Sequence, residues 1–178
     1  LFMTGFRLES HILSVWGNQG PTIVLLVDPI YPLHVNLRTG TVMSLAGTAT
    51  GRLFAAYLPR KLIETSMAED YKRLGPDIAK PLEPAEAAAT DRISQVRFVA
   101  VKEQSDSWGD AFAAPVFDYS CNMVLGVTLM GLSGVFDPAW DGPQAQAVRA
   151  CFEEISKRLG NAPDQARAWN AAKKIPLK

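Results

Sequence analysis

Two histidines, two cysteines and a scatter of carboxylates are the groups in this chain able to do catalytic or metal chemistry. Their spacing brings none of them together. His11 and His34 each fall in an alternating, strand-like stretch without a neighbouring nucleophile, and no Gly-x-Ser-x-Gly turn offers a serine. A metal site needs three or four clustered ligands, which His11, His34, Cys121 and Cys151 do not supply. Acid–base catalysis would need convergence among Asp28, Glu103, Asp110 and Asp118. Spacing alone leaves them as loop and strand-end acids, with Glu103 and His34 the one pair worth testing for an enzyme. Neither a Gly-x-Gly-x-x-Gly run nor a phosphate-binding Walker loop occurs. The expectation is a protein that is not an enzyme and carries no cofactor and no metal.

Binding chemistry has better support. In Gly47-Thr48-Ala49-Thr50-Gly51, small residues open a helix, and the free amides of a helix N-terminus attract anions. Tight packing of that helix on a sheet is the competing explanation. In the run from Gly109 to Gly131, one side of a strand carries Ala111, Ala113 and Pro115, and the other carries Asp110, Phe112, Ala114 and Val116. Loss of bulk at successive same-face positions leaves a gap to be filled by another element, a close backbone or a ligand. With Thr50 and Thr128 as polar points, an apolar cavity suited to a small organic acid follows.

The elements that must position these residues follow from periodicity. His11 to Trp16 and Thr22 to Val27 form two strands around the turn Gly17 to Pro21, and Leu33 to Leu37 alternates as a third. Ala49, Leu53, Ala56 and Tyr57 share one helical face, which Pro59 terminates. A short helix is expected from Arg60 to Met67, irregular chain over 68–82, and a helix from Pro84 to Val96. Arg97 to Glu103 is strand-like, and the hairpin from Gly109 to Gly131 follows. Val148, Cys151, Phe152, Ile155 and Leu159 mark a final helix stopped by Gly160-Asn161. Cys151 falls on its apolar stripe as a buried thiol, and Cys121 falls in the hairpin turn.

At 178 residues the chain is one ordinary domain. Eighteen basic residues balance eighteen acidic ones, so it lacks the positive field that holds nucleic acid by its phosphates. Two cysteines do not make a disulfide scaffold, and no apolar run reaches the ~20 residues of a membrane span. Leu1 in place of an initiator methionine suggests a fragment of a longer protein. The order of elements predicts an α+β fold with one antiparallel sheet of about six strands. The helices are expected on one face, with the stretch 68–82 a candidate cover for the other.

Several stretches, in this order, resemble the C-terminal effector-binding domain of the IclR family of bacterial transcription regulators. Val15 to Val24 resembles its first hairpin, and Val35 to Pro59 its strand-to-helix segment. Ala113 to Asp118 and Gly126 to Gly131 resemble the last hairpin, and Ile155 to Gly160 the closing helix. The resemblance covers about residues 11–160. It implies a GAF-like fold, a curved antiparallel sheet flanked by helices with a ligand pocket above the sheet. It also implies a cytoplasmic protein without membrane contact that forms homodimers or homotetramers. DNA would be bound only through an N-terminal winged helix-turn-helix, absent from this chain. The domain would span 1–160, with 161–178 a tail or short helix.

The resemblance carries effector contacts onto Val35, Ala49, Thr50, Ala111, Thr128 and Met130. Several relatives have cysteine at the Ala111 position and some have serines at the last-strand positions. An acidic position of some relatives falls on Val101, although Glu103 keeps an acid nearby. These departures remove polar groups, so a larger and more apolar effector is expected, such as an aromatic carboxylate, with Trp16, Phe112 or Trp108 as walls. Two alternatives remain at this point: a ligand-free dimerisation module whose small residues permit close packing, and an enzyme on the same scaffold.

Overall fold

The computed structural model describes residues 8–30, 37–45, 47–74, 94–99 and 107–161. These form β1 (Ser10–Gly17), β2 (Gly20–Val27), α1 (Ala49–Tyr57), α2 (Arg60–Leu74), β3 (Ser94–Val99), β4 (Ser107–Phe117), β5 (Met123–Leu132) and α3 (Pro143–Arg158). The strands make one sheet in the order β2-β1-β5-β4-β3, and every pairing is antiparallel. The described sheet therefore has five strands rather than about six, because the strand expected over Leu33 to Leu37 falls mostly outside the described residues. Among the described residues, no helix is long and apolar enough to cross a membrane.

Both hairpins form, but the first turn is tighter than the expected five-residue loop Gly17 to Pro21: Gly17 pairs with Gly20 and Trp16 with Pro21, leaving Asn18-Gln19 as the turn. At the β4–β5 turn, the Asp118 carboxylate accepts from the amides of Ser120 at 2.8 Å and Asn122 at 3.0 Å. Cys121 takes a positive φ of 60° there. Asp118 is thus a turn-former rather than an acid–base candidate. The Phe117 amide donates to Ser156 Oγ at 3.0 Å, and Asn161 Nδ2 donates to the Asp118 carbonyl at 2.8 Å. These bonds tie the turn to the end of α3. That helix closes with the left-handed Gly160 (φ 81°), whose amide bonds the Lys157 carbonyl while the Asn161 amide bonds that of Ser156.

Three expectations are corrected. Helix α2 runs seven residues past Met67, so 68–74 is helical rather than irregular. Ser94–Val96 belongs to β3, not to the end of a helix from Pro84; the β-favouring run Val96 to Val99 pairs with β4 and takes the residues before it along. Most importantly, the helices do not share one face. Helix α3 packs on β4 and β5 through Ala145, Val148 and Phe152, against Phe112, Ala114, Val116, Val127 and Leu129. Helix α1 packs through Ala49 and Leu53 on the opposite face, against Ile12, Ile23, Ala111, Ala113 and Met130. A strand core apolar on both faces, as over Ala111 to Phe117, needs a cover on each.

Candidate functional site

The start of α1 is built by its own sequence. Thr48 is the N-cap in extended conformation, and its Oγ1 accepts from the Gly51 amide at 2.9 Å. The same hydroxyl donates to the Ser44 carbonyl at 2.7 Å, and the Gly47 amide donates to Ser44 Oγ at 2.9 Å. One helix-start amide that sequence left open to an anion is therefore already taken by the cap. Gly51 is there for space: a Cβ on it would lie 2.6 Å from the Ser44 carbonyl carbon. The helix rests against that backbone, and only glycine permits the approach.

This seating brings α1 onto the small-residue face of β4. Ala111 and Ala113 are 3% and 0% exposed, and the gap above them is filled by Ile12, Ile23, Met43, Ala49, Leu53 and Met130. Within that apolar seam, the hydroxyls of Thr50 and Thr128 meet at 2.8 Å, both residues buried. Either oxygen can donate. Gly126, two residues along β5, lets Leu53 and Phe54 lie directly on the strand, 3.2 and 3.3 Å from where its Cβ would stand.

Of the expected site residues, Ala49, Thr50, Ala111, Thr128 and Met130 come together in this seam. Phe112 does not. Its side chain lies on the α3 face, with ring centroids 5.5 Å from Phe136 and 5.3 Å from Trp140. Strand alternation forces this, since neighbours of Ala111 must point the other way. Trp16 shares the α1 face but sits towards the hairpin tip, packed on Phe54 with centroids 6.1 Å apart. Val35, Glu103, Val101, His34 and the Trp108 side chain lie outside the described residues, so the Glu103–His34 pair does too.

Sequence reading missed Ser14. It is fully buried on β1, opposite Gly126 and Ile23, and its Oγ has no hydrogen-bond partner among the described residues. Its place two residues after Ile12 on the alternating strand was legible, but a single serine in a strand carries no signal for burial. The two cysteines are free, and burial pushes the Cys151 thiol above its ordinary range. No cluster of three potential metal ligands occurs among the described residues.

The family profile described as bacterial transcriptional regulator IclR C-terminal matches residues 9–157. Among solved structures, Pseudomonas aeruginosa HmgR is 27% identical, over 90% of this chain and 63% of that one, with a TM-score of 0.72. Thermotoga maritima IclR is 17% identical over 89% of this chain and 64% of that one, with a TM-score of 0.70. The C-terminal domain of Escherichia coli KdgR is 16% identical, over 85% and 88%, with a TM-score of 0.61. At the lower identities the likeness is one of fold. The chain spans less than two thirds of the length of the HmgR and Thermotoga structures. No curated protein matches it.

Proposed function

The chain belongs to the bacterial transcriptional regulator IclR C-terminal family, and from that premise we propose that it is a small-molecule sensing domain whose effector enters the seam between α1 and the β4–β5 hairpin. The observation that carries this reading is the Thr50–Thr128 hydroxyl pair, a polar point inside an otherwise apolar seam walled by alanines. A carboxylate or hydroxyl on a ligand can take over the partnership of either threonine, while its apolar body meets Ala111, Ala49 and Met130. Ser14 adds a buried hydroxyl on the same sheet face. The described seam holds no basic side chain, which favours a monoanion with a large apolar body, an aromatic carboxylate above all, over a small polyanion. Phe112 has no part in the site.

In this reading the domain also carries self-association, and DNA is bound by a further domain of the longer regulator, working in the cytoplasm. An effector that binds one arrangement of subunits better than another shifts the population toward it.

The test is a thermal-shift and calorimetric panel of aromatic and aliphatic acids. A ligand at 100 times its Kd stabilises by about 2.7 kcal/mol, which in a domain of this size raises Tm by about 5–10 °C. The hit should lose affinity in Thr50→Val and in Ala111→Trp; unchanged affinity in both would refute the site. A second reading has its own support, because the two hydroxyls already satisfy each other and the seam is closed. In a ligand-free association module no acid would shift Tm, and Ala111→Trp would act on folding or assembly alone.

A further inference from the structure

An open cavity lies at the tip of the β1–β2 hairpin, away from the closed α1 seam. It has a volume of about 640 Å³ and opens between Trp16, Asn18 and Gln19 of the hairpin, Val42, Met43 and Leu45, and one face of α2. Small-molecule sites commonly occupy about 300–1,000 Å³, so an organic ligand of ordinary size fits. Helix α2 is divided for this purpose. Ile63 and Met67 pack against Leu45 and Phe54 and anchor it, while Leu62, Thr65, Ser66 and Glu69 recur at i, i+3, i+4 and i+7 and line the cavity. Trp16 is held from behind by Phe54, with ring centroids 6.1 Å apart.

The lining has a definite chemistry. Trp16 and Met43 offer apolar surface, together with Val42 and Leu62, which are 38% and 48% exposed, more than a satisfied core would leave. Along the same face of α2, beside Leu62, stand the Thr65 and Ser66 hydroxyls and the Glu69 carboxylate. Among the described lining residues, Glu69 carries the charge and no lysine, arginine or histidine occurs. An organic anion would meet that carboxylate. A monocation with an aromatic body meets an indole face and an acceptor-rich rim together.

We propose that this cleft is a separate ligand site for an arylalkyl ammonium ion, its ring against Trp16 and Leu62 and its ammonium held by Glu69 and the hydroxyls of Thr65 and Ser66. It is distinct from the acid-sensing seam, although Met43 touches both.

The probe is 2-phenylethylammonium, titrated into the full chain by calorimetry and by tryptophan fluorescence. Saturable binding is expected, with a fluorescence change that disappears in Trp16→Phe while binding persists. Glu69→Gln, a surface change that leaves folding intact, should weaken binding about three- to fivefold, the range of an exposed ion pair. Thr128→Val, in the other site, should leave it unchanged, and 3-phenylpropionate should not displace the ammonium. No saturable binding, an unaltered Kd in Glu69→Gln, a fluorescence change that survives Trp16→Phe, or displacement by the carboxylate would each overturn the proposal. None of these results bears on the α1 seam.

Discussion

The Thr50–Thr128 contact can be tested as a pair, because each threonine has an isosteric apolar replacement. In Thr50→Val the seam stays filled, but Thr128 Oγ1, in a residue 2% exposed, loses its partner at 2.8 Å. A buried hydroxyl left unsatisfied costs about 1–3 kcal/mol. Thr128→Val costs a similar amount, since Thr50, 1% exposed in the first turn of α1, has no preceding helical carbonyl to turn to. In the double variant both polar groups are gone and the methyls pack, so the loss falls below about 1 kcal/mol. The singles would therefore sum to about 2–6 kcal/mol while the double shows far less, a coupling well outside the ~0.5 kcal/mol scatter of independent sites. Urea unfolding at pH 7 with an unchanged m-value measures it. Each kcal/mol also moves Tm by about 2–4 °C in a domain of this size. Additive singles would refute the reasoning, since the hydroxyls would then be satisfied elsewhere.

Other outcomes follow from the same packing. Gly51→Ala pushes a methyl into the Ser44–Leu45 backbone, which has no flexible end to give way, and should cost more than about 3 kcal/mol in chemical denaturation, at the severe end of single substitutions. Phe112→Ala should cost about 3–5 kcal/mol by emptying the α3 face, while Phe112→Leu should leave the affinity of any ligand of the α1 seam unchanged in calorimetry. Burial raises the Cys151 pKa from its ordinary 9.0, so as pH rises through 9.0 the unfolded chain loses its proton first and stability falls. Cys151→Ser should flatten that alkaline limb of a stability–pH curve. The Glu154 carboxyl is held below its usual range, chiefly by its hydrogen bond from Arg158 at 2.7 Å. That contribution is present above the ordinary pKa of 4.5 and is lost as pH falls through the lower folded value, so Glu154→Gln should slightly flatten the acid limb.

The hairpins, the two flanking helices and the glycine stops were legible because each rests on local chemistry. Val148, Phe152 and Ile155 needed only a 3.6-residue period, and Gly160 only its positive φ. The side of the sheet each helix chooses is not local. Nothing in residues 49–57 or 143–158 says which strand face will receive them, and the expectation of one shared face failed for that reason. The candidate seam was half legible for the same cause. Ala111 and Thr50 announce missing bulk and a helix start, but their meeting depends on Gly51 seating α1 against Ser44. The Phe112 error was avoidable, because alternation along β4 already separates it from Ala111. Ser14 and the α2 face of the open cavity gave weaker signals. The hydroxyl is one serine in a strand, and the spacing of Leu62, Thr65, Ser66 and Glu69 has meaning only once the β1–β2 tip stands opposite.

The two faces of the sheet are packed for different tasks. On the α3 side, Phe112, Phe136, Trp140 and Phe152 interlock, and Ser156 and Asn161 tie the helix end to the β4–β5 turn. Moving α3 would break aromatic contacts and buried hydrogen bonds at once. On the α1 side, Ala49 and Thr50 bring the start of the helix close to the sheet, while the fully buried Leu53 and Phe54 seat its second turn on Gly126. Displacing the small-residue first turn of α1 forfeits less dispersion than displacing the aromatic contacts of α3. An effector entering above Ala111 would therefore shift α1 rather than the sheet. Through Gly51 against Ser44, that shift would reach residues 41–43, whose backbone bonds to Pro21 and Ile23 on the edge strand β2. In the proposed reading the α3 face anchors the hairpin, and the start of α1 would link a ligand to the sheet edge.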